Sequence, residues 1–393
     1  MPTFGHAMLE HWMLESESTY LNHGTVGVTP RRVLQKQQAL RDEMERHPSR
    51  FILRELAGSY PAPWRTVSRL REASEQIAAF VGSDGDDLVF VPNVTYGLNA
   101  VLASRPLGPG DQVVITDLAY GAIALTAKFT CEQRGATLRT VSIPWPVTDP
   151  GVVTERVVAA ITPQTKLVVI DHCTAQTALL LPVAEIAREC HRQDVPVLVD
   201  GAHVPGTRRL DIAALGVDWY SANLHKWAHA PRGCGLLWVA KQWQSAARAP
   251  IVSWGHGHGF REEFEHTATF DPTSCLAAPE GIALLREWDF DACVRYQQEL
   301  AWQAGQILSE RWSTPFVTPP EMIGTMVTVA LPQSLGASDA DAARLRLALL
   351  VDDRIEVHMH AWRGRLWTRV SAQVYNDRSD IERLANAIAR RAS

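Results

Sequence analysis

The segment Val217-Asp-Trp-Tyr-Ser-Ala-Asn-Leu-His-Lys-Trp227, which runs on to Gly235, is the most informative part of this 393-residue sequence. A β-type run ends here in small polar residues, and Lys226 follows directly after His225. Lys226 is one of only five lysines in a chain with 33 arginines. A lysine amine, unlike a guanidinium group, can lose its proton and condense with a carbonyl. The alternative is a surface lysine whose stem packs on Trp227.

Length and composition predict a large domain with a smaller one and an ample core. The net charge of −5 offers no basic stripe, so we expect no nucleic-acid partner. The six cysteines show no CxxC pairing and indicate reduced thiols in a cytoplasmic protein. The first residues do not resemble a signal peptide and no apolar run is long enough to span a membrane, so we expect no membrane partner.

Short apolar runs alternate with helical patterns through the first two thirds of the chain. Strands are predicted at Gln112–Thr116, Lys166–Asp171 and Pro196–Asp200, with helices between them. Strands so uniformly apolar are typical of a mainly parallel sheet that is covered on both faces. The fold class predicted is therefore α/β.

The residues that follow two of the strands could bind a ligand: one set could bind an anion, and the other could stack on a planar ring. After the strand Asp87–Val91, Asn93 or Thr95 can cap a helix that continues to Ser104, and its first N–H groups would face a phosphate. Tyr120 follows another strand, on the side where open α/β sheets bind ligands. Helix capping alone and core packing alone are the alternatives.

Asp200 follows directly after a buried strand, and His203 lies three positions later. A carboxylate held there is shielded from water and needs a cationic partner. The alternative is an aspartate that caps the next turn. Pyridoxal phosphate would use all these features, because it presents an aldehyde, a basic ring nitrogen, a flat ring and a dianionic phosphate.

Glycine- and threonine-rich loops follow at 254–260 and 264–272, and their length makes them functional candidates. The pattern is then helical from 277 to 312, with strands and helices of a small α+β unit beyond it. We expect an N-terminal arm over 1–30 that contributes to the small domain and the active site, a large cofactor domain over 31–275 and a small C-terminal domain over 276–393.

The sequence resembles the class V aminotransferase family of fold-type I pyridoxal phosphate enzymes, and within it the branch similar to isopenicillin N epimerase. The resemblance covers nearly the whole chain and implies a large domain with a mainly parallel, seven-stranded sheet. The matching segments are Leu21-Asn-His-Gly24, Asn93-Val-Thr95, Thr174, Asp200-Gly-Ala-His203, Ser221-Ala-Asn-Leu-His-Lys-Trp227 and Arg369-Val-Ser-Ala-Gln-Val-Tyr-Asn376.

The resemblance implies four catalytic residues. Lys226 would form the Schiff base with pyridoxal 5′-phosphate and shuttle the α-proton, Asp200 would keep the ring nitrogen protonated, His203 would touch the ring hydroxyl, and Tyr120 would stack on the ring. The other cofactor-binding residues implied are Asn93, Val94, Thr95, Thr174, Ser221, His225, Thr267 and Thr269.

The same resemblance implies that Arg369 binds the substrate carboxylate, since a guanidinium grips a carboxylate with two hydrogen bonds. The arm residues Asn22, His23 and Gly24 are further candidates for substrate binding, as is Arg50, which could meet an anion. The alternative for Arg50 is a solvated surface arginine. Thr267 and Thr269 resemble a segment that reaches a neighbouring subunit's phosphate, which implies a homodimer with shared active sites.

Two departures from the family bear on the substrate. Phe270 stands where members of the family often carry an arginine, so the usual substrate is in doubt. No cysteine follows Cys293, which disfavours the persulfide chemistry of cysteine desulfurases.

We expect an amino-acid substrate that reacts at its α-carbon through an external aldimine and a quinonoid. An epimerase in a secondary-metabolic pathway is the first expectation, and a C–S β-lyase acting on a cysteine S-conjugate is the alternative. The second acid or base is sought among His23, His256, His258 and Tyr96.

The remote alternatives are a cofactor-binding regulator and a metal-dependent hydrolase that uses the two His-x-His pairs at 256–258 and 358–360. We expect no metal.

Overall fold

The computed structural model describes residues 3–58 and 60–392. Its largest element is a seven-stranded sheet in the order β2-β8-β7-β6-β5-β3-β4. Its strands are β2 (Leu88–Val91), β3 (Gln112–Thr116), β4 (Thr137–Val141), β5 (Thr165–Asp171), β6 (Val197–Asp200), β7 (Trp219–Asn223) and β8 (Gly235–Val239). β8 runs antiparallel to both of its neighbours, and the other neighbouring strands of the sheet are parallel to each other. The predicted α/β class with a mainly parallel sheet is confirmed.

Successive residues of these strands pack on opposite faces of the sheet. In β5, Val168 and Ile170 belong to one apolar cluster, whereas Leu167 and Val169 belong to another. Helices cover both faces, so every side chain from Leu167 to Asp171 is buried. This burial on two faces explains why the strand is apolar throughout instead of alternating with polar residues.

The C-terminal part is built on a second, antiparallel sheet in the order β11-β12-β9. Its strands are β9 (Met326–Ala330), β11 (His358–Trp362) and β12 (Arg365–Ser371). A separate parallel pair joins β1 (Thr19–Tyr20) to β10 (Ile355–Glu356) and so ties the N-terminal arm to this part of the chain.

The helices follow the predicted alternation. They are α1 (His23–Val26), α2 (Arg31–Arg46), α3 (Arg69–Val81), α4 (Val94–Ser104), α5 (Gly121–Arg134), α6 (Gly151–Val158), α7 (Val183–His191), α8 (Lys241–Gln244), α9 (Phe260–Glu265), α10 (Thr273–Glu287), α11 (Phe290–Trp312), α12 (Asp339–Asp353) and α13 (Arg378–Ala392). A π-helical segment lies at Ser49–Leu56. Among the residues described, no helix has both the length and the apolar character required to cross a membrane.

Local contacts set the bounds of three elements. Helix α3 begins at Arg69, because Ser68 caps it by accepting a hydrogen bond from the Arg71 amide. The helical run 277–312 is two helices, separated where Asp289 adopts a φ of 62°. β10 and β11 are separate strands, since the chain changes partner from the arm to β12 at Val357.

Separate apolar clusters accompany the two sheets. Cys275, Ala278 and Ile282 of α10 pack with the cluster on one face of the large sheet. Leu300 and Leu308 of α11 pack with the small sheet. The domain limits at 30/31 and 275/276 stay predictions.

Candidate active site

A cavity of about 450 Å³ opens where the carboxyl ends of the parallel strands face the small sheet and the N-terminal arm. Lysine, arginine, aspartate and histidine side chains meet in it. The lining residues are Gly24, Thr25, Asn93, Val94, Thr95, Tyr120, Gly121, Asp171, Ala175, Gln176, Asp200, Ala202, His203, Asn223, His225, Lys226, His358 and Arg369. The sheet therefore brings together residues that are far apart in sequence, as expected for the strand ends of an open α/β sheet.

Lys226 is buried just beyond β7, and its Nζ lies 3.2 Å from Nε2 of His203. Burial and the positive charge of Arg369 lower the pKa of Lys226 to about 7, while Asp200 opposes this effect. A substantial fraction of Lys226 is therefore neutral near pH 7, the form in which an amine attacks a carbonyl. The pKa of His203 is also lowered, by burial and by the charge of Lys226, so His203 is neutral.

Asp200 and Asp171 are neighbours in register at the ends of β6 and β5. Burial raises the pKa of Asp200 to about 6, and burial together with the charge of Asp200 raises that of Asp171 well above its usual range. Two adjacent buried carboxyl groups resist double ionisation, so we assign the negative charge to Asp200 and the proton to Asp171. The Ala202 amide donates to Asp200 Oδ1 at 2.9 Å, and the Tyr120 amide donates to Asp171.

The first turn of α4 points into the cavity. Asn93 caps the helix by accepting a hydrogen bond from the Tyr96 amide at 3.0 Å. The Val94 amide donates to Asn223 Oδ1 at 2.9 Å and is thereby already bonded. The Thr95 amide and hydroxyl have no hydrogen-bond partner among the residues described, so they are the groups left for an anion.

Arg369 projects from β12 on the small sheet and is buried. Its Nη1 donates to the Ala175 carbonyl, and its Nη2 donates to Thr25 Oγ1 at 2.7 Å. Burial lowers its pKa to about 10, which still leaves the guanidinium charged at neutral pH. The group is thus a fixed cation across the cavity from the large sheet.

Three predicted cofactor residues are engaged with their own surroundings. Ser221 donates to the Leu236 carbonyl at 2.8 Å, and Thr174 Oγ1 accepts from the Leu179 amide at 2.8 Å; neither lines the cavity. His225 does line it, with Nδ1 lying 2.8 Å from the Cys234 carbonyl. Burial lowers the pKa of His225 to about 4, so the neutral ring donates through Nδ1 and leaves Nε2 unprotonated.

The arm residues reach the site in different ways. Gly24 lines the cavity, whereas Asn22 donates to Glu356 Oε1 at 2.9 Å and His23 is fully buried behind Lys226. His23 Nε2 lies 3.0 Å from the Lys226 carbonyl and Nδ1 lies 3.0 Å from the Tyr375 hydroxyl. Nε2–H therefore donates to the carbonyl, and Nδ1 accepts from the hydroxyl.

Other predicted residues lie outside the cavity of the single chain. Arg50 is exposed and donates to Glu55 Oε1 at 2.6 Å. Thr267 and Thr269 follow α9 and do not line the cavity, nor does Tyr96. His256 pairs with Glu263 at 3.2 Å.

Neither His-x-His pair belongs to a metal-ligating cluster of three among the described residues. The group that meets this criterion is His6, Asp377 and Asp380. The rings of His358 and His360 stack with centroids 5.4 Å apart.

Several cavity residues were not predicted from the sequence. Asp171 ends a buried strand just as Asp200 does, so the same signal was present. Asn223 was within the central stretch but carries no charge. His358, from the other sheet, was assigned only to the metal alternative, because its place beside Arg369 depends on the pairing of β11 with β12.

The site fits pyridoxal phosphate on structural grounds. Asp200 Oδ2, His203 Nδ1 and Arg369 Nε are buried without a hydrogen-bond partner among the described residues. Buried polar atoms are rarely left unpaired in native proteins, so these three suit a polar ligand. A carboxylate, an imidazole and a neutral-capable amine match the ring nitrogen, the ring hydroxyl and the aldehyde of the cofactor.

Known proteins agree with this assignment. The model of the family "Aminotransferase class-V" matches residues 19–384. The chain is 31% identical to isopenicillin N epimerase of Streptomyces clavuligerus over 96% of this chain and 95% of that protein. It is 28% identical to a probable chloroplastic L-cysteine desulfhydrase of Arabidopsis thaliana over 94% of this chain and 82% of that protein.

Solved structures show the same fold. A lysine-to-alanine mutant of the enzyme C-DES, with glycine covalently linked to its PLP cofactor, has a TM-score of 0.78 at 20% identity and covers 95% of this chain and 96% of its own. The apo structure of cysteine desulfurase from Thermococcus onnurineus NA1 has a TM-score of 0.79 at 18% identity and covers 100% and 99%.

The resemblance expected from the sequence is confirmed, and so are the fold-type I architecture and the cofactor, pyridoxal 5′-phosphate. The chain belongs to the class V aminotransferase family of pyridoxal phosphate-dependent enzymes.

Proposed function

We propose that the protein acts at the α-carbon of an amino-acid substrate, with epimerisation as its first candidate reaction. One observation carries the proposal: Lys226, Asp200 and Arg369 are all buried and line one cavity. A lysine able to be neutral can exchange protons, a carboxylate can hold a ring nitrogen, and a fixed guanidinium can bind a carboxylate.

When bound, pyridoxal phosphate supplies a carbonyl carbon that reacts with amines and a ring that accepts the electron pair left at Cα. In our proposal Asp200 Oδ2 binds the ring nitrogen and keeps it protonated, while His203 hydrogen-bonds to the ring hydroxyl. Tyr120, whose side chain is 45% exposed, stacks on the open face of the ring. The protonated Asp171 holds the backbone of Tyr120 without adding a second negative charge.

The phosphate would bind at the first turn of α4, through the Thr95 amide and hydroxyl and with Asn93 beside them. Val94 supports this turn through its bond to Asn223 rather than through a free amide. His225 can donate to a phosphate only from its protonated form, which a dianion at this position favours. Ser221 and Thr174 lie outside the cavity and would support the residues that bind the cofactor.

The reaction at Cα depends on proton transfer by Lys226 while Arg369 holds the carboxylate. Because burial keeps the pKa of Lys226 near 7, its amine both accepts and returns a proton near neutral pH. Epimerisation also needs an acid on the opposite face of Cα. Four groups were considered for this role from the sequence, His23, His256, His258 and Tyr96, and none of them lines the cavity.

A C–S β-lyase is the second candidate, supported by the relatives named L-cysteine desulfhydrase. Elimination needs the same lysine and the same arginine that binds the carboxylate. In place of an acid on the opposite face of Cα, it needs an acid that protonates the leaving sulfur. Both candidates therefore share every residue proposed above and differ in the fate of the substrate.

Incubation of the holoenzyme with amino acids and cysteine S-conjugates in heavy water separates the two candidates. Deuterium at Cα with inverted configuration, measured by NMR and chiral chromatography, supports the epimerase. Pyruvate together with a free thiol supports the lyase. If the α-proton exchanges in no substrate of the panel, the proposal is overturned.

We further propose a homodimer in which Thr267 and Thr269 reach the phosphate site of the partner subunit. Exposed apolar side chains near this loop support an interface, since Ile251, Val252 and Trp254 are 54%, 73% and 90% exposed. Large exposed apolar side chains in one segment are typical of a contact surface.

A cytoplasmic location in a secondary-metabolic pathway completes the proposal. The six cysteines are all free and buried, which suits a reducing compartment. The arginine-rich, lysine-poor composition resembles GC-rich bacterial genes, where epimerases and C–S lyases serve natural-product pathways.

A further inference from the structure

One histidine of the cavity has no role in the chemistry proposed above. His358 begins β11 and is the register partner of Arg369 on β12. Side chains of directly paired residues in an antiparallel sheet project from the same face. His358 and Arg369 accordingly line the cavity side by side, on the wall formed by the small sheet.

His358 is in a form suited to neutral hydrogen bonding. Burial and the charge of Arg369 lower its pKa to about 3, so the ring is uncharged near neutral pH. Its Nε2 is buried and has no partner among the described residues. A neutral imidazole carries one donor and one acceptor, so this nitrogen is free to bind a polar atom of a ligand.

The orientation of the ring is supported from behind. His360 lies two residues later on the same face of β11, and its ring stacks on His358 with 5.4 Å between centroids and 27° between planes. His360 is buried and does not line the cavity. Because alternate residues of a strand share a face, this stack limits the rotation of His358.

The cavity residues near His358 limit the kind of substrate group that can bind to its ring. Arg369 is held by the Ala175 carbonyl and Thr25, and in the proposed function it binds the substrate α-carboxylate. Gln176, whose side chain is uncharged, lines the same region. The charged side chains of the cavity other than Arg369 belong to the large sheet. A substrate side chain that extends past Arg369 therefore meets an uncharged, hydrogen-bonding wall.

We propose that His358 is a specificity-determining residue whose Nε2 hydrogen-bonds to an uncharged polar group on the substrate side chain. The inference rests on the proposed function, in which Arg369 binds the α-carboxylate. It names the substrate class as amino acids with a hydroxyl, amide, thiol or sulfoxide group near Cβ or Cγ. A site built to bond such a group rejects an apolar analogue, because the buried nitrogen is then left unpaired.

The test uses two pairs of amino acids that differ only by a hydroxyl in place of a methyl group: L-serine with L-2-aminobutyrate, and L-homoserine with L-norvaline. The Kd of the holoenzyme for each is measured from the initial change in cofactor absorbance, before turnover. In the wild type we expect the hydroxyl member of at least one pair to bind about tenfold more tightly.

Variants assign this preference to His358. His358→Phe keeps an aromatic ring without a polar atom and should remove the preference, while His358→Gln, whose amide reaches the position of Nε2, should retain it. His358→Ala serves if the phenylalanine variant does not fold, as judged by circular dichroism. His360→Phe, which keeps a ring to stack on His358 and changes a residue outside the cavity, should leave the ratio of the two Kd values unaltered.

The outcomes distinguish the proposed role of His358 from the proposed function on which it rests. If no amino acid alters the wild-type spectrum, the proposed function is overturned and the role of His358 falls with it. If amino acids bind but the wild type shows no preference in either pair, or His358→Phe and His358→Ala retain it, only the role of His358 is overturned.

Discussion

Lys226 owes its reactivity to its surroundings rather than to its residue type alone. Burial and Arg369 favour the neutral amine, whereas Asp200 favours the ammonium group, and the balance lowers the pKa to about 7. An ordinary lysine, with a pKa of about 10.4, is almost entirely protonated at neutral pH. The fold thereby prepares one amine out of five for reaction with a carbonyl.

Capture of pyridoxal phosphate by the apoenzyme should follow this pKa. The sign is set by the charged form: below about pH 7 Lys226 is protonated and slow to react, and above it the amine is neutral. We expect the rate of appearance of visible cofactor absorbance to rise through pH 7 and then level off. Lys226→Ala should abolish the absorbance of the Schiff base, while Lys241→Ala, on helix α8, should not. A rate that keeps rising toward pH 10 would show that Lys226 is not perturbed.

Arg369 should contribute to substrate affinity more than to cofactor binding. A buried, bidentate guanidinium–carboxylate contact contributes roughly 1.5–3 kcal/mol, so Arg369→Ala should raise KM for the amino-acid substrate roughly 10- to 150-fold. The cofactor spectrum should change little. Arg365→Ala, on the same face of β12 but outside the cavity, is the matched control. An unchanged KM in Arg369→Ala would remove this residue from the site.

At the scale of elements, the N-terminal arm packs on the segment that carries Lys226. His23 holds the Lys226 carbonyl, Thr29 donates to the Ala230 carbonyl at 3.3 Å, and Arg232 donates to the Gly27 carbonyl at 2.9 Å. These bonds come from residues about 200 positions apart, so the backbone around the reactive lysine is fixed from both sides.

Gly27 is the point of closest approach and provides a test of this packing. It has a φ of 67°, and a Cβ there would lie 1.9 Å from the His225 carbonyl oxygen. Gly216 has a φ of 68° with no atom within 4 Å of its would-be Cβ. Gly216→Ala should cost about 1 kcal/mol of folding stability from backbone strain alone, whereas Gly27→Ala should cost at least 2 kcal/mol more and weaken cofactor binding. Thermal unfolding of both holoenzymes measures the difference, and equal losses would contradict the close approach.

Sequence patterns were sufficient for elements but not for every side chain. The buried strands were predictable because parallel strands covered on both faces are apolar throughout, and strand ends point to Asp200 and Tyr120. The orientation of His23 was not predictable, because it depends on Lys226 and Tyr375 at 203 and 352 positions away. His358 was missed for a similar reason, since its neighbour Arg369 is defined by strand register. The roles of the individual site residues stay predictions.

At the scale of the whole molecule, the cavity is lined by residues from both sheets and from the N-terminal arm. The large sheet supplies Lys226 and Asp200, and the small sheet supplies Arg369 and His358. Arg363, at the turn between β11 and β12, donates to Asp117 Oδ2 at 3.1 Å and to the Ile143 carbonyl at 2.8 Å, and so joins the two sheets. Movement of the small sheet relative to the large sheet would change the distance between Lys226 and Arg369, the residue proposed to bind the substrate carboxylate.

The proposed dimer is testable by mass. Light scattering should give twice the chain mass of 43.5 kDa. Trp254→Asp and Val252→Asp place a charge among exposed apolar residues and should shift the population to monomers. Leu347→Asp, which changes a residue 61% exposed on α12, should leave the mass unaltered. Monomeric wild-type protein at micromolar concentration would contradict the shared site.

The bond between Asn22 and Glu356 joins residues 334 positions apart. A ribosome adds about 5 to 20 residues per second, so the arm of a nascent chain waits roughly 17 to 67 seconds before its partner strand has been synthesised. Until then the small sheet, on which His23 and Gly24 pack, has not been fully synthesised. We therefore expect the cofactor to load only after the strands that carry Glu356 and Arg369 have been synthesised.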